Sequence, residues 1–188
     1  MSKLAVLVSG IGTNLEAIIT SGLAVSLVLA DRPCRGLEVA RAASVPARLV
    51  QRPSFGLDFD RQAYTQEVLQ ILENAHIEFV AFAGFMTILS PVMCERYAGR
   101  ILNTHPSLLP SFKGASPVED ALKYGVKLTG ITVHIVTSEL DAGPILAQAA
   151  VPVKDGDTVA SLHERIKQTE RRLYPETISK LIAKESHL

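Results

Sequence analysis

Leu4-Ala5-Val6-Leu7-Val8-Ser9-Gly10-Ile11-Gly12-Thr13-Asn14-Leu15-Glu16-Ala17-Ile18 decides the fold. A short β-rich run is broken by a Gly-rich segment, and a helical apolar spacing starts at Leu15. That is the pattern of strand, tight loop and helix. The alternation continues. Val25 to Ala30 reads as a second strand, ending at Asp31-Arg32-Pro33. Leu37 to Ala43 has helical spacing, and Ala47 to Val50 is a weak third strand. Arg61 to Ala75 is helical, and Glu78 to Ala83 is a fourth strand running into Gly84-Phe85-Met86. Pro91 opens a short helix, as proline at a first helical position does, and Ile101-Leu102-Asn103 is a fifth strand. Strands alternating with helices predict an α/β fold with a doubly wound, mostly parallel sheet. The pattern then changes. Leu128 to Val136 and Ile145 to Val153 are β-rich runs with no long helix between them, which predicts an antiparallel C-terminal strand pair. A long final helix spans about Thr158 to Ala183. With no repeat, low-complexity tract or linker, residues 1–188 are expected to form one domain, large enough for a real core.

Composition narrows the function classes. Lys and Arg number 19, Asp and Glu 19, so the chain is neutral, with 47% apolar and 20% charged residues. No basic block supports a nucleic-acid footprint. The longest apolar runs are strand-length, so no membrane span is expected, and the N-terminus has no signal-peptide layout. Cys34 and Cys94 form no C-x-x-C, which fits free thiols in a reducing cytoplasm. No metal site is expected: His134 and His163 lack spaced partners, and His105 lacks a nearby second ligand. Small-molecule substrates are the expected partners, for a monomer or homodimer.

Open α/β sheets bind ligands outside the carboxyl ends of their strands. Three loops fall there: Ser9–Asn14, Gly84–Leu89 and Asn103–Pro110. If strand one lies beside four, and four beside five, these loops start about 5 Å apart and one site collects all three. The first loop lacks the small residue at 15 that a dinucleotide fingerprint wants, and lacks a Walker lysine. A generic phosphate cradle remains. A plain strand-to-helix turn is the competing reading, with Thr13 and Asn14 as helix caps.

The strongest chemical signal is Asn103-Thr104-His105-Pro106-Ser107-Leu108-Leu109-Pro110, read with Asp141 in Leu140-Asp141-Ala142-Gly143-Pro144. An amide, an imidazole and a carboxylate are the groups an acyl transfer needs. The imidazole moves protons near neutral pH, the amide N–H holds a developing oxyanion, and the carboxylate orients or charges the imidazole. Asn103 and His105, two apart on a strand, point the same way. Each alone has a plainer reading: His105 as a strand-end histidine satisfied by backbone, Asn103 and Asp141 as turn residues. His134, within a strand, reads as structural. Leu109–Pro110 is trans by default.

Together these pieces resemble the folate-dependent formyltransferase family. The motifs are Val8 to Ile18, Ala83-Gly84-Phe85-Met86, Asn103 to Pro110, Thr129-Gly130-Ile131-Thr132-Val133-His134, and Asp141-Ala142-Gly143-Pro144-Ile145. The resemblance runs from Leu4 to about Leu181. The N-terminal loop and Leu162 to Glu170 are similar to the branch that formylates glycinamide ribonucleotide in purine synthesis. The resemblance implies a Rossmann-like formyltransferase fold and direct attack of the glycinamide amine on the formyl carbon of 10-formyltetrahydrofolate, with no metal. It implies catalytic roles for Asn103, His105 and Asp141. Gly12, Thr13 and Asn14 would hold the phosphate, Lys167 would add charge there, and Glu170 would contact the ribose. Met86, Thr87, Ile88, Leu89 and Asn103 would line the folate pocket, Arg61 would lie near the glutamate tail, and Val136 to Asp141 would wrap the pterin. Lys167 and Glu170, three apart on a helix, could equally pair with each other. Met86, Ile88 and Leu89 could be core, and Arg61 merely solvated.

Two features depart from the family pattern. Thr87 stands where a basic residue is frequent. Lys113-Gly114-Ala115-Ser116-Pro117-Val118 is closer to the Arg-Gly-Ala-Ser-Pro of methionyl-tRNA formyltransferases. The competing readings are therefore a formyltransferase for methionyl-tRNA or an amino sugar, a folate hydrolase relative, and a non-catalytic nucleotide-binding module. The tRNA enzymes carry an additional C-terminal domain. The hydrolases show His-His-Ser where this chain has His105-Pro106-Ser107. A binding module has no use for Asn103, His105 and Asp141 together.

Overall fold

A central strand with no polar face sets the architecture. β1 (Leu4–Val8) is buried at all five positions, as expected of a strand covered by helices on both sides. The structure, a computed structural model, describes residues 2–54, 56 and 58–185. In chain order it continues α1 (Thr13–Thr20), β2 (Val25–Ala30), α2 (Arg35–Ala42), β3 (Ala47–Leu49), α3 (Arg61–Asn74), β4 (Phe79–Phe82), α4 (Pro91–Arg96), β5 (Ile101–His105), α5 (Pro117–Tyr124), β6 (Leu128–Ile135), β7 (Ile145–Pro152) and α6 (Val159–Glu185). The strands form one sheet in the order β3-β2-β1-β4-β5-β6-β7. β1 is parallel to β2 and β4, β2 to β3, and β4 to β5, while β5–β6 and β6–β7 are antiparallel. Strands one, four and five are thus neighbours, as the three-loop site requires.

Alternation along the strands divides the core. Leu4, Val6 and Val8 face one way, with Leu15, Ile18, Leu37, Tyr174 and Ile178 of α1, α2 and α6. Ala5 and Leu7 face the other way, with Tyr64, Val68, Leu69 and Leu72 of α3 and Met93 of α4. A smaller cluster joins Val118 of α5 to Ile131, Val151, Leu162 and Ile166.

Three features differ from the sequence reading. β5 runs on to His105 rather than ending at Asn103, because its last residues pair with β6 (Thr104 with Val133, His105 with Thr132). Helix α5 went unread: it has eight residues and buries Pro117, Val118 and Ala121. The Leu109–Pro110 peptide bond is cis.

Tyr174 of α6 is fully buried. Its hydroxyl lies 3.0 Å from the Phe82 carbonyl, at the carboxyl end of β4, and 2.9 Å from the Leu102 carbonyl in the adjacent β5. Tyr174→Phe strips both carbonyls of this donor in a dry site. It is expected to lower unfolding free energy by about 1–2 kcal/mol in urea titrations, the cost of a lost buried hydrogen bond. An unchanged midpoint would show that water replaces the hydroxyl.

Candidate active site

The site is built where β5 is paired on both sides. Asn103 lies opposite Phe82 of β4 and His134 of β6. Asn103 and His105 share one face of the strand, while Thr104 between them points to α6 and donates to Glu170 Oε1 at 2.5 Å. Asp141 arrives from the β6–β7 connection, at a φ of 51° that Asp tolerates better than most residues. The connection folds tightly on itself. A Cβ on Gly143 would sit 1.8 Å from the Ile135 carbonyl oxygen, so only glycine fits there.

Two of the three polar groups are in contact, His105 with Asp141, while Asn103 shares a cleft with Asp141 and its amide faces His134. Asp141 Oδ2 lies 3.4 Å from His105 Nδ1 and accepts the Gly114 N–H at 2.9 Å. His105 Nε2 is 2.7 Å from the Phe112 carbonyl oxygen. The other Asp141 oxygen is 3.8 Å from His134 Nε2. His105 and Asp141 are 5% and 8% exposed, so their contact is largely shielded from water.

His134 was read as structural, and its position shows more. Its Nδ1 lies 3.0 Å from the Ile135 carbonyl oxygen, which assigns the ring proton to Nδ1 and leaves Nε2 as an acceptor. That nitrogen is 3.5 Å from Asn103 Nδ2. Burial pushes the His134 pKa down, and the Ile135 hydrogen bond and the Asp141 charge offset only part of this. A neutral ring therefore faces the Asn103 amide. Cross-strand register would have found His134; sequence spacing alone does not give it.

Asn103, His134 and Asp141 line a cleft of about 230 Å³ that also takes in Arg61, residues 85–89 and residues 136–140. Met86 and Ile88 are 67% and 55% exposed, so they are not core residues. Leu89 is half-buried and packs against the α3 side of the core. Thr87 lines the cleft but is buried, and its hydroxyl donates to Asp31 at 2.7 Å. Arg61 is exposed, at the first position of α3.

The Gly-rich loop leads into α1 with Gly12 as N-cap at a φ of 81°, and no side chain caps the helix. Thr13 and Asn14 lie in its first turn, against their reading as caps. A Cβ on Gly12 would meet Gly36 Cα at 2.9 Å. The first-turn N–H groups thus stay available to an anion. Asn14 Oδ1 is buried without a hydrogen-bond partner among the described residues. α6 packs beside this helix, and Arg171 shares a groove with Thr13. Glu170 is held by Thr104, and among the described residues no ion pair joins it to Lys167. Among the described residues no group of three or more His, Cys, Asp or Glu side chains is placed to hold a metal, and no helix is long and apolar enough to cross a membrane.

A model of the formyl transferase family, "Formyl transferase", matches residues 2–178. The chain is 45% identical over 188 residues to a protein of Mycobacterium tuberculosis named phosphoribosylglycinamide formyltransferase, covering 96% of this chain and 85% of that one. It is 46% identical over 180 residues to the "Trifunctional purine biosynthetic protein adenosine-3" of Gallus gallus, covering 92% of this chain but only 18% of that protein's length. A crystal structure of phosphoribosylglycinamide formyltransferase from Bacillus halodurans superposes with a TM-score of 0.90 at 39% identity, covering 98% of this chain and 97% of that one.

The neutral His134 makes stability depend on pH. Its folded pKa lies below the ordinary 6.5, so as pH falls through that value the unfolded chain takes up a proton that the folded site refuses, and stability drops. His134→Gln cannot titrate. Its melting temperature is expected to fall less than that of the wild type between about pH 7.5 and about pH 5.5. Equal slopes would remove His134 as a source of the effect.

Proposed function

The chain belongs to the formyl transferase family, and from that premise we propose that it moves the formyl group of 10-formyltetrahydrofolate to the amine of 5-phosphoribosylglycinamide, a step of purine (IMP) biosynthesis. It is a one-carbon group transferase. The observation that carries the residue roles is the convergence of Asn103, His105 and Asp141, with the His105–Asp141 pair at 3.4 Å beside a cleft lined by Asn103.

The glycinamide nitrogen attacks the formyl carbon directly. A carbon–nitrogen bond forms, the carbonyl oxygen takes up negative charge in a tetrahedral intermediate, and the bond to the folate nitrogen breaks. The amine loses a proton and the departing nitrogen gains one, leaving tetrahydrofolate. The Asn103 amide donates to the oxygen as its charge grows. With one amide hydrogen directed at His134 Nε2, the other is oriented to the cleft. His105 stabilises the same charge and handles the proton, and Asp141 orients the ring, with water completing the relay. No step calls for a metal.

The walls of the cleft suit the donor. Met86 and Ile88 offer exposed apolar surface, residues 136–140 offer backbone polar groups for a pterin, and Arg61 offers a cation near a glutamate tail. The ribonucleotide phosphate takes the first-turn N–H groups of Gly12, Thr13 and Asn14, with Lys167 adding charge and Glu170 meeting the ribose. Residues 1–188 act in this reading as a single formyltransferase domain, cytoplasmic, monomeric or homodimeric, with small-molecule substrates.

Loss of the formyl donor on mixing with glycinamide ribonucleotide, followed by absorbance, tests the reading. Silence with that acceptor and turnover with another amine would remove it. Asn103→Ala is expected to lower kcat about 10²–10³-fold, and His105→Ala at least about 10²-fold. Gly12→Val strains the positive φ and clashes with Gly36, so ribonucleotide KM is expected to rise at least about tenfold. An unchanged KM would move the phosphate elsewhere.

A further inference from the structure

Asp31 is fully buried at the carboxyl end of the sheet, directly after β2, and the reaction above makes no use of it. A buried carboxylate is costly unless its oxygens are well supplied with donors. Here they are. Arg32 forks onto it, Nε to Oδ1 and Nη2 to Oδ2, both at 3.0 Å. The Thr87 hydroxyl donates to Oδ2 at 2.7 Å. Burial pushes the carboxyl up, but these donors and the Arg32 charge outweigh it and hold Asp31 below the usual carboxylate range.

Thr87 lies in the loop after β4, and Ser9 begins the Gly-rich loop after β1. These two loops are joined directly, because the Met86 N–H donates to Ser9 Oγ at 2.8 Å. Strand order β2-β1-β4 makes the three loops neighbours, so the carboxylate after β2 reaches the loop after β4 through Thr87. Met86 and Ile88, on either side of the buried Thr87, project toward the cleft. The residue singled out for replacing a frequent basic side chain thus spends its hydroxyl inward.

We propose that Asp31 is a positioning residue, fixing the donor-binding loop at Met86–Ile88 through Thr87, while the Met86–Ser9 bond ties that loop to the phosphate loop at Gly10–Asn14. It rests on the formyl-transfer reading, which gives each loop its substrate. Two substrates held by separate loops react only when the reacting atoms are set within a fraction of an ångström, and these bonds hold the donor-binding loop beside the phosphate loop. The phosphate loop makes no bond to the Thr87 hydroxyl among the described residues, so removal of that hydroxyl loosens the donor side selectively.

The test is steady-state kinetics of the full chain with both substrates, for wild type, Thr87→Val and Thr87→Ser. Thr87→Val is expected to raise the donor KM about tenfold, the worth of one hydrogen bond to a charged group, with the ribonucleotide KM within about twofold. Thr87→Ser restores the donor KM. A wild-type donor KM in Thr87→Val, or an equal rise in both KM values, overturns the proposal. A second measurement needs no turnover: the Met86 amide is expected to exchange slowly with solvent in the wild type and at least about tenfold faster in Ser9→Ala. A freely exchanging wild-type Met86 amide overturns the proposal even if the enzyme is active. A protected amide in a protein that fails to formylate glycinamide ribonucleotide would sink the functional reading and leave the loop tie standing.

Discussion

The two-sided pairing of β5 is the constraint on which the rest depends. Its partner on one side is parallel and on the other antiparallel, and both place their pairing on Asn103. A slip of one residue against either neighbour would turn Asn103 and His105 toward α6 and swing Thr104 into the cleft. Register is therefore a chemical specification as well as a packing one. It is held from the α6 side by Tyr174 across β4 and β5, and from the antiparallel side by His134 opposite the amide.

The loop after β5 is anchored with equal care. The Thr132 hydroxyl of β6 donates to the Ser107 carbonyl at 2.7 Å and accepts the Leu109 N–H at 3.0 Å. Gln148 of β7 donates to the Leu109 carbonyl at 2.9 Å. The antiparallel pair β6–β7 thus supports the His-Pro-Ser-Leu-Leu-Pro segment from beneath, and the connection between the same two strands delivers Asp141 from above. Polar groups buried here have partners, as a dry site demands, and His105 is held by backbone and carboxylate at once.

Much of this was legible in the chain. β2 was readable to the residue, and the doubly wound pattern was compatible with strands one, four and five as neighbours, an order that only the structure supplies. Asn103, His105 and Asp141 could be picked out only as a set, because each alone has a plainer reading. The rest depended on distance in three dimensions. His134 reads as an ordinary strand residue until β6 is laid beside β5. Thr104 has no signal of its own until α6 brings Glu170 to it. Thr87 reads as a pocket residue, since nothing local says that a carboxylate 56 positions earlier waits beneath it. Thr13 and Asn14 have the composition of caps, yet Gly12 holds that position by its left-handed backbone.

The Tyr174 bridge also orders events in time. Its carbonyl partners lie 92 and 72 positions earlier in the chain, and a ribosome makes them first. A nascent chain can pair β1, β2 and β4 while the Phe82 and Leu102 carbonyls still face water, and only the emergence of α6 dries them. The Phe82 and Leu102 carbonyls are therefore covered late in synthesis, and a product cut short before residue 174 lacks the hydroxyl that meets them.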